Sequence, residues 1–440
     1  MMSDTRQILA LNRFDNARMD GLDDGLRARL ARREATFGAA SVLFYERPLE
    51  LVRGHGAYLY DAAANQYLDM YNNVPSVGHC HPHVVSAIAA QAARLNIHTR
   101  YLTRPVEEYA VRLLGHFPAP LTNLAMTCTG SESNDLALRI ATAVTGRRGF
   151  IVTRAAYHGN TAAVAAISPS SFSGTAVPPH VRLIAAPQAD GDVAGRFTAG
   201  LRAAIAGLEE AGIGFAALVV DSIFSSDGIF ADPAGFLAPA LEAVREAGGL
   251  FIADEVQPGF GRTGGGLWGF ARHGIIPDIV TMGKPMGNGF PMGGVVTRPE
   301  FLARFCEETG YFNTFGGNPV AAAAGDAVLD VIEEEGLIAN AASTGGLLKQ
   351  GLEALRAEFP AIGGIRGAGL FIGLDFISRD SGAPDPRMAS HVINALKDKF
   401  ILIGAAGLYG HTLKIRPPLC FAPAHAARFL ESLREVLRAS

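Results

Sequence analysis

The chain lacks the features that would send it out of the cell, through a bilayer or onto nucleic acid. Its four cysteines, Cys80, Cys128, Cys306 and Cys420, form no CxxC pair and show no zinc-ligand spacing. That argues against a disulfide framework and against a zinc ribbon. They read as reduced core thiols, and the expected location is the cytoplasm. The opening segment, MMSDTRQILALNRFDNARMD, lacks the apolar run of a signal peptide. No apolar stretch has the length that spans a membrane. Net charge is −4 and no basic run is interleaved with aromatics, so neither nucleic acid nor a membrane is an expected partner. His79 and His81 stand two apart, but no third ligand follows at a suitable spacing. They read as a structural turn, and no metal is expected.

What is present is apolar and rich in glycine. Hydrophobic residues make up 49% of 440 positions, which excludes disorder. The length exceeds one ordinary core and predicts two domains, possibly interleaved. From about residue 123 to Lys284, short apolar runs alternate with helical patterns. Strands are expected at 124–128, 149–153, 181–185, 216–220, 250–253 and 279–282, with helices between them. This alternation is the pattern of a doubly wound, mostly parallel sheet. Beyond Pro299 the pattern turns α+β, and this part is expected to pack with the short strands near residues 40–70. Residues 1 to about 40 read as an arm.

The stretch Gly249–Met292 carries the chemistry. One buried run ends in Asp254 and Glu255; a second delivers Lys284 into a Gly-rich turn thirty positions after Asp254. Open α/β sheets place ligands at the carboxyl ends of their strands. A lysine there can form a Schiff base with a cofactor aldehyde. A carboxylate there can keep a pyridine nitrogen protonated. The same residues also fit a helix cap and a solvated loop lysine. The run 124–128 turns at Gly130 into a helix, where free N–H groups and a positive dipole end suit a phosphate. Any strand–helix turn looks similar. Tyr157, after the strand 149–153, fits either a flat ring or a core contact.

Five segments resolve these alternatives together: GSESN at 130–134, Tyr157-His158-Gly159, ADEVQ at 253–257 followed by GFGRTG, DIVTMGK at 278–284, and NTFGGNP at 313–319. With them the chain resembles the class III aminotransferases of the fold-type I pyridoxal phosphate superfamily, from about Leu43 to Leu437. The resemblance implies an α/β transferase with a mostly parallel, doubly wound sheet. It implies an N-terminal arm and part of a small domain in 1–75, a large cofactor-binding domain in 76–325, and the rest of the small α+β domain in 326–440.

The resemblance also implies roles. Lys284 would hold pyridoxal 5'-phosphate and move protons, and Asp254 would pair with the pyridinium. Gln257 would reach the ring hydroxyl. Tyr157, with His158 beside it, would stack on the ring. Gly130 and Ser131 would bind the phosphate. Thr314 would reach the phosphate held by a neighbouring subunit, which implies a homodimer with shared active sites.

Substrate residues depart from the commoner pattern. Asp221-Ser222 stands where many members have Glu-Pro. Ser225 and Ser226 occupy a segment that carries a gate glutamate in members acting on ornithine or 4-aminobutyrate. Lys414 aligns with the gate arginine, and Arg416 follows two residues on. Lysine cannot reproduce arginine's bidentate fork. Phe44-Tyr45, YNNVPSVGHCHP, HTRYL at 98–102, GKPMGNG and LKIRPPLCF resemble one branch. It holds amino-alcohol phosphate phospho-lyases and alanine–glyoxylate-like transaminases. Tyr45, Asn73, Arg100, Lys414 and Arg416 are its candidate substrate residues. The expected reaction moves an amino group from a primary amine or amino acid to a small oxo-acid such as pyruvate or glyoxylate. The alternative is elimination of phosphate from a phosphorylated amino alcohol or hydroxy-amino acid.

Overall fold

The computed structural model describes residues 10–15, 19, 21–40, 42–171, 177–187 and 190–440. The first part of the expected arm, residues 1–9, lies outside them. Its later part contains the helix Asp24–Phe37, which buries none of its residues.

The central sheet has seven strands, in the spatial order Asn123–Thr127, Gly293–Thr297, Ile279–Met282, Leu250–Asp254, Phe215–Val220, Gly149–Thr153 and Val181–Ile184. Phe215–Val220, Leu250–Asp254 and Ile279–Met282 are buried along their whole length. Helices cover both faces of such strands, so they read as continuous apolar runs without alternation. Gly293–Thr297 was not anticipated. It runs antiparallel to both of its neighbours. Its glycines and valines follow a Gly-rich turn directly, which hides the strand within an apparent loop.

The other six strands point one way, so Thr127, Thr153, Val220, Asp254 and Met282 end along one edge. In register, Asp254 pairs with Thr281. The lysine therefore emerges one turn of chain beyond the neighbour of the aspartate.

Two smaller four-stranded sheets complete the fold. One orders Leu51–His55, Tyr58–Asp61, Gln66–Asp69 and Ile401–Leu402. Its last pairing, Ile401 with Leu68, is parallel and joins the two ends of the chain. The other orders Ile362–Ala368, Phe371–Phe376, Thr412–Ile415 and Gly404–Ala406.

The cysteines correct one expectation. All four are free, but Cys80 and Cys306 are exposed, so they are not core thiols. Cys80 sits in a turn with φ of 51°, and Cys306 lies on the outer side of the helix Pro299–Glu308. The two spaced histidines serve different partners. His79 meets Asp69 at 2.7 Å and His81 meets Glu335 at 2.9 Å.

Candidate active site

The strand ends open into a cavity of about 270 Å³ lined by Gly130, Ser131, Tyr157, His158, Asp254, Gln257 and Lys284, with Asp221 and Val256. Residues drawn from five separate stretches of sequence thus converge on one space.

Its phosphate-like end is built at the helix Gly130–Thr145. Thr129 caps the helix by accepting from the Glu132 backbone N–H. The Glu132 carboxylate turns back to accept from the Cys128 N–H at 2.9 Å. The cap thus occupies the third helical N–H and leaves those of Gly130 and Ser131 facing the cavity. Gly159 packs against this turn with φ of 141°, and a Cβ there would lie 2.5 Å from Ser131 Oγ. Gly283, just before the lysine, approaches so closely that its Cβ would lie 2.8 Å from the Gly130 nitrogen.

The acidic end is a clamp. Asp254 is 4% exposed. Its Oδ2 accepts from His158 Nδ1 at 2.7 Å and from Asn134 Nδ2 at 3.0 Å. Its Oδ1 accepts from the Val256 N–H at 3.0 Å. The carboxylate only accepts, so the His158 proton sits on Nδ1. His158 Nε2 is buried without a partner.

Asn134 is the residue that sequence reasoning missed. It also donates to the His158 carbonyl at 2.8 Å and accepts from Thr281 Oγ1 at 2.7 Å. One amide thereby ties the helix, the aspartate strand and the lysine strand together. It closes the GSESN segment, one helical turn inside Gly130, where a polar residue on an inward face is the available signal.

Glu255 does not share the site. Successive strand residues face opposite ways, and its carboxylate accepts from the Gly269 and Phe270 N–H groups at 2.7 and 2.9 Å. Burial pushes its pKa up to about 8.

Lys284 has φ of 22°, a region that side chains avoid and that concentrates at functional sites. It forms no hydrogen bond or ion pair among the described residues. Burial, and secondly the charge of Arg416, lower its pKa from the usual 10.5. A base that must exchange protons needs a populated neutral form. Tyr157 is half-buried on the cavity wall, and burial raises its phenol pKa.

The chain matches the class III aminotransferase family over residues 44–437. It belongs to that family. A class III aminotransferase is a pyridoxal phosphate enzyme, and this site fits the group. Free N–H groups suit the phosphate, a buried carboxylate suits the pyridine nitrogen, and an unpartnered lysine suits the aldehyde. Lys284, Asp254, Gln257, Tyr157, His158, Gly130 and Ser131 would hold it.

The similarity is close in several relatives. An "alanine–glyoxylate aminotransferase 2-like" protein of Drosophila melanogaster is 42% identical over 92% of this chain and 86% of its own length. An "ethanolamine-phosphate phospho-lyase homolog 1" of Caenorhabditis elegans is 37% identical, covering 93% of this chain and 92% of its own. Among solved structures, an Arthrobacter phospholyase in complex with phosphoethanolamine superposes with a TM-score of 0.91. It is 44% identical and covers 94% of this chain and all of its own. Amino transfer and phosphate elimination, the two expected outcomes, thus both occur by name among the relatives.

The expected substrate residues in this aminotransferase divide. Lys414 and Arg416 are both buried, at 3% and 8% exposure. Neither lines the cavity; Arg416 stands behind its wall and donates to Gln257 Oε1. Lys414 pairs across the sheet with Gly373 and Gly404, so no Cβ crowds it from either neighbour. Burial first, and then Arg416, lower its pKa well below the usual value. Asn73 is buried with Nδ2 unpartnered.

Tyr45 and Arg100 also lie outside the cavity lining. The Tyr45 hydroxyl donates to the Ile403 carbonyl at 3.1 Å, which places it in the core. Arg100 is exposed and lies 4.3 Å over the Phe312 ring. Thr314 is exposed and does not line this chain's own cavity. The expectation for Gln257 gains a constraint. One amide N–H goes to Ser225 Oγ at 2.7 Å, which leaves the second for a ring hydroxyl.

Proposed function

We propose that this enzyme eliminates inorganic phosphate from a small phosphorylated primary amine, phosphoethanolamine being the first substrate to test. The observation that carries the reading is the pair Lys414 and Arg416. Both are buried, and neither has a carboxylate partner among the described residues. A buried cation without a counter-ion costs several kcal/mol. Arg416, with Lys414 beside it ready to take a proton when an anion arrives, suits an anionic group of the substrate, and a phosphate dianion uses both. The 44% identity to the Arthrobacter phospholyase supports the same reading.

When bound, pyridoxal phosphate supplies an electron sink for the substrate carbon that bears nitrogen. Lys284 takes the proton from that carbon. Asp254, held by His158 and Asn134, would offer its carboxylate to the pyridine nitrogen. The bond from the adjacent carbon to the phosphate oxygen breaks, and its electron pair leaves with the phosphate. Arg416 and Lys414, behind the cavity wall, would stabilise that charge as it develops. Overall, phosphoethanolamine and water give acetaldehyde, ammonia and phosphate.

Amino transfer is the second reading. Arg416, held by Gln257 and lying 4.5 Å over the Tyr71 ring, is a preformed grip for one carboxylate of an oxo-acid. The 42% identity to the Drosophila aminotransferase-like protein favours it.

The protein also works as a homodimer in this proposal. Leu102 is 93% exposed, and Phe315 71%. They stand near Arg100 and Thr314, and a second copy covering them would bring Thr314 toward the partner's phosphate. Free thiols fit the cytoplasm.

Two parallel assays on cofactor-loaded protein decide the reaction. Phosphate released from phosphoethanolamine with no acceptor present supports elimination. Alanine or glycine formed from pyruvate or glyoxylate and an amine, with no phosphate release, rejects it in favour of transfer.

A further inference from the structure

The geometry points to Ser225 as a positioning residue that sets which way the Gln257 amide faces and so holds Arg416 ready for the substrate's anionic group. The inference rests on the reading of Arg416 as an anion-binding residue. Four side chains form a single line: Asp221, Ser225, Gln257 and Arg416.

The direction of every hydrogen bond in that line follows from donor chemistry. A guanidinium only donates. Arg416 Nη1 therefore meets the carbonyl oxygen of Gln257. The Gln257 amide nitrogen then faces Ser225 Oγ at 2.7 Å and donates to it. Ser225 must accept that bond, so its own proton goes elsewhere. It goes to Asp221 Oδ2 at 2.8 Å. The Asp221 carboxylate accepts further from the backbone N–H groups of Ile223 and Ser225, each at 3.0 Å. Those bonds hold it at the start of the line.

Three members are buried, and Asp221 is half-buried on the cavity wall. Ser225 is 0% exposed, Arg416 8% and Gln257 9%. Burial lowers the local dielectric and strengthens the bonds that Ser225 and Arg416 make. Arg416 Nε remains buried and without a partner, a donor left over after Gln257 has been served.

Remove the Ser225 hydroxyl and the Gln257 amide loses the acceptor that holds its nitrogen side. The amide is then held only by its bond to Arg416, and the pair is no longer fixed from both ends. Arg416 would lose its fixed geometry, while Lys284 and Asp254 keep theirs. Binding of an anion and turnover should therefore both suffer, while cofactor loading through Lys284 persists. The Gln257 amide also lines the cavity, so this line couples the cofactor wall to the cation behind it.

The test uses cofactor-loaded wild type and Ser225→Ala, with inorganic phosphate as the calorimetric probe and kinetics alongside. The phosphate Kd and the KM for phosphoethanolamine should rise on the order of ten-fold, as expected for one charge-linked hydrogen bond. The turnover number should fall as well, because Arg416 also acts on the departing phosphate, while the phosphate Kd reads the ground-state grip alone. In an Arg416→Lys background, Ser225→Ala should add less than about two-fold, because coupled residues are not additive. Unchanged Kd and KM in Ser225→Ala would overturn the proposal. So would a further ten-fold loss in the Arg416→Lys background, which would mark a general effect on the fold. If Ser225→Ala does not fold by circular dichroism, Ser225→Cys carries the same expectation, since a thiol is a weak acceptor. If the wild type neither binds phosphate nor cleaves phosphoethanolamine, the elimination reading has failed by itself. The KM for the oxo-acid acceptor in the same variants then decides the role of Ser225.

Discussion

His158 donates from Nδ1 to Asp254 Oδ2 at 2.7 Å, and its other ring nitrogen is buried with no partner. The aspartate is thus held by a histidine on one side and by the Asn134 amide on the other. Its charge is kept in place without being cancelled by a full ion pair to lysine or arginine.

Asp254→Asn should keep the side chain's size, remove the charge and set an amide N–H against one of the clamp's donors. Breaking a buried charged pair typically costs about 3–5 kcal/mol, and each ~1.4 kcal/mol is a factor of ten. Turnover of the cofactor-loaded variant should fall by roughly a hundred- to a thousand-fold. Steady-state kinetics checks this, with far-ultraviolet circular dichroism expected to match the wild type.

Gly159→Ala should damage the phosphate end without touching Lys284. The added Cβ would lie 2.5 Å from Ser131 Oγ, at φ of 141°. Such strain costs on the order of 1–3 kcal/mol. Affinity of the apoprotein for pyridoxal phosphate should drop about ten-fold or more in a fluorescence titration. A variant that binds the cofactor normally would show that Ser131 can yield.

Lys414→Met should stabilise the apoprotein at neutral pH while impairing the reaction. Replacing buried charge by an apolar side chain of similar volume often gains ~1–4 kcal/mol. The pH dependence has a definite sign. The folded-state pKa of Lys414 lies below the ordinary 10.5. Between those two values the unfolded chain binds more protons, so wild-type stability rises with pH across that window. The advantage of Lys414→Met should therefore shrink toward pH 10.5. Urea midpoints at pH 7 and pH 10 check it; an advantage that grows with pH would contradict it.

Thr314→Ala and Lys284→Ala test the shared site. In a homodimer each would lose its contribution to a different half of the active sites. Mixing the two variants under subunit exchange should regenerate activity above either alone, since some mixed dimers hold one site with both residues intact. No recovery, together with a monomeric mass by light scattering, would remove the dimer from the proposal.

Much of this was legible before the fold. The buried runs 250–253 and 279–282 were visible as strands because both faces of each are covered, so all their residues but Thr281 are apolar. The same pattern put Asp254 and Lys284 at strand ends. The Gly130 turn was visible because a strand, a glycine and an amphipathic helix follow one another locally. Gly293–Thr297 was not, since its direction depends on pairing with Asn123–Thr127, 170 positions earlier in the chain by its Gly293–Asn123 ends. Tyr45 and Arg100 were assigned by resemblance alone. The fold turns one into the core and leaves the other exposed beside Phe312.

By itself the sequence determined the order of strands and helices, the lysine–aspartate pair and the cofactor class, because each is written in local periodicity and in short motifs. Tertiary structure alone decided that Asn134 joins three elements, that Glu255 turns away from the cavity, and that Ser225 reaches Arg416 through Gln257. Those outcomes depend on directional hydrogen bonds between side chains as far apart in sequence as Gln257 and Arg416, 159 positions. No window of neighbouring residues contains that information, because burial and bond direction exist only once the chain has closed on itself.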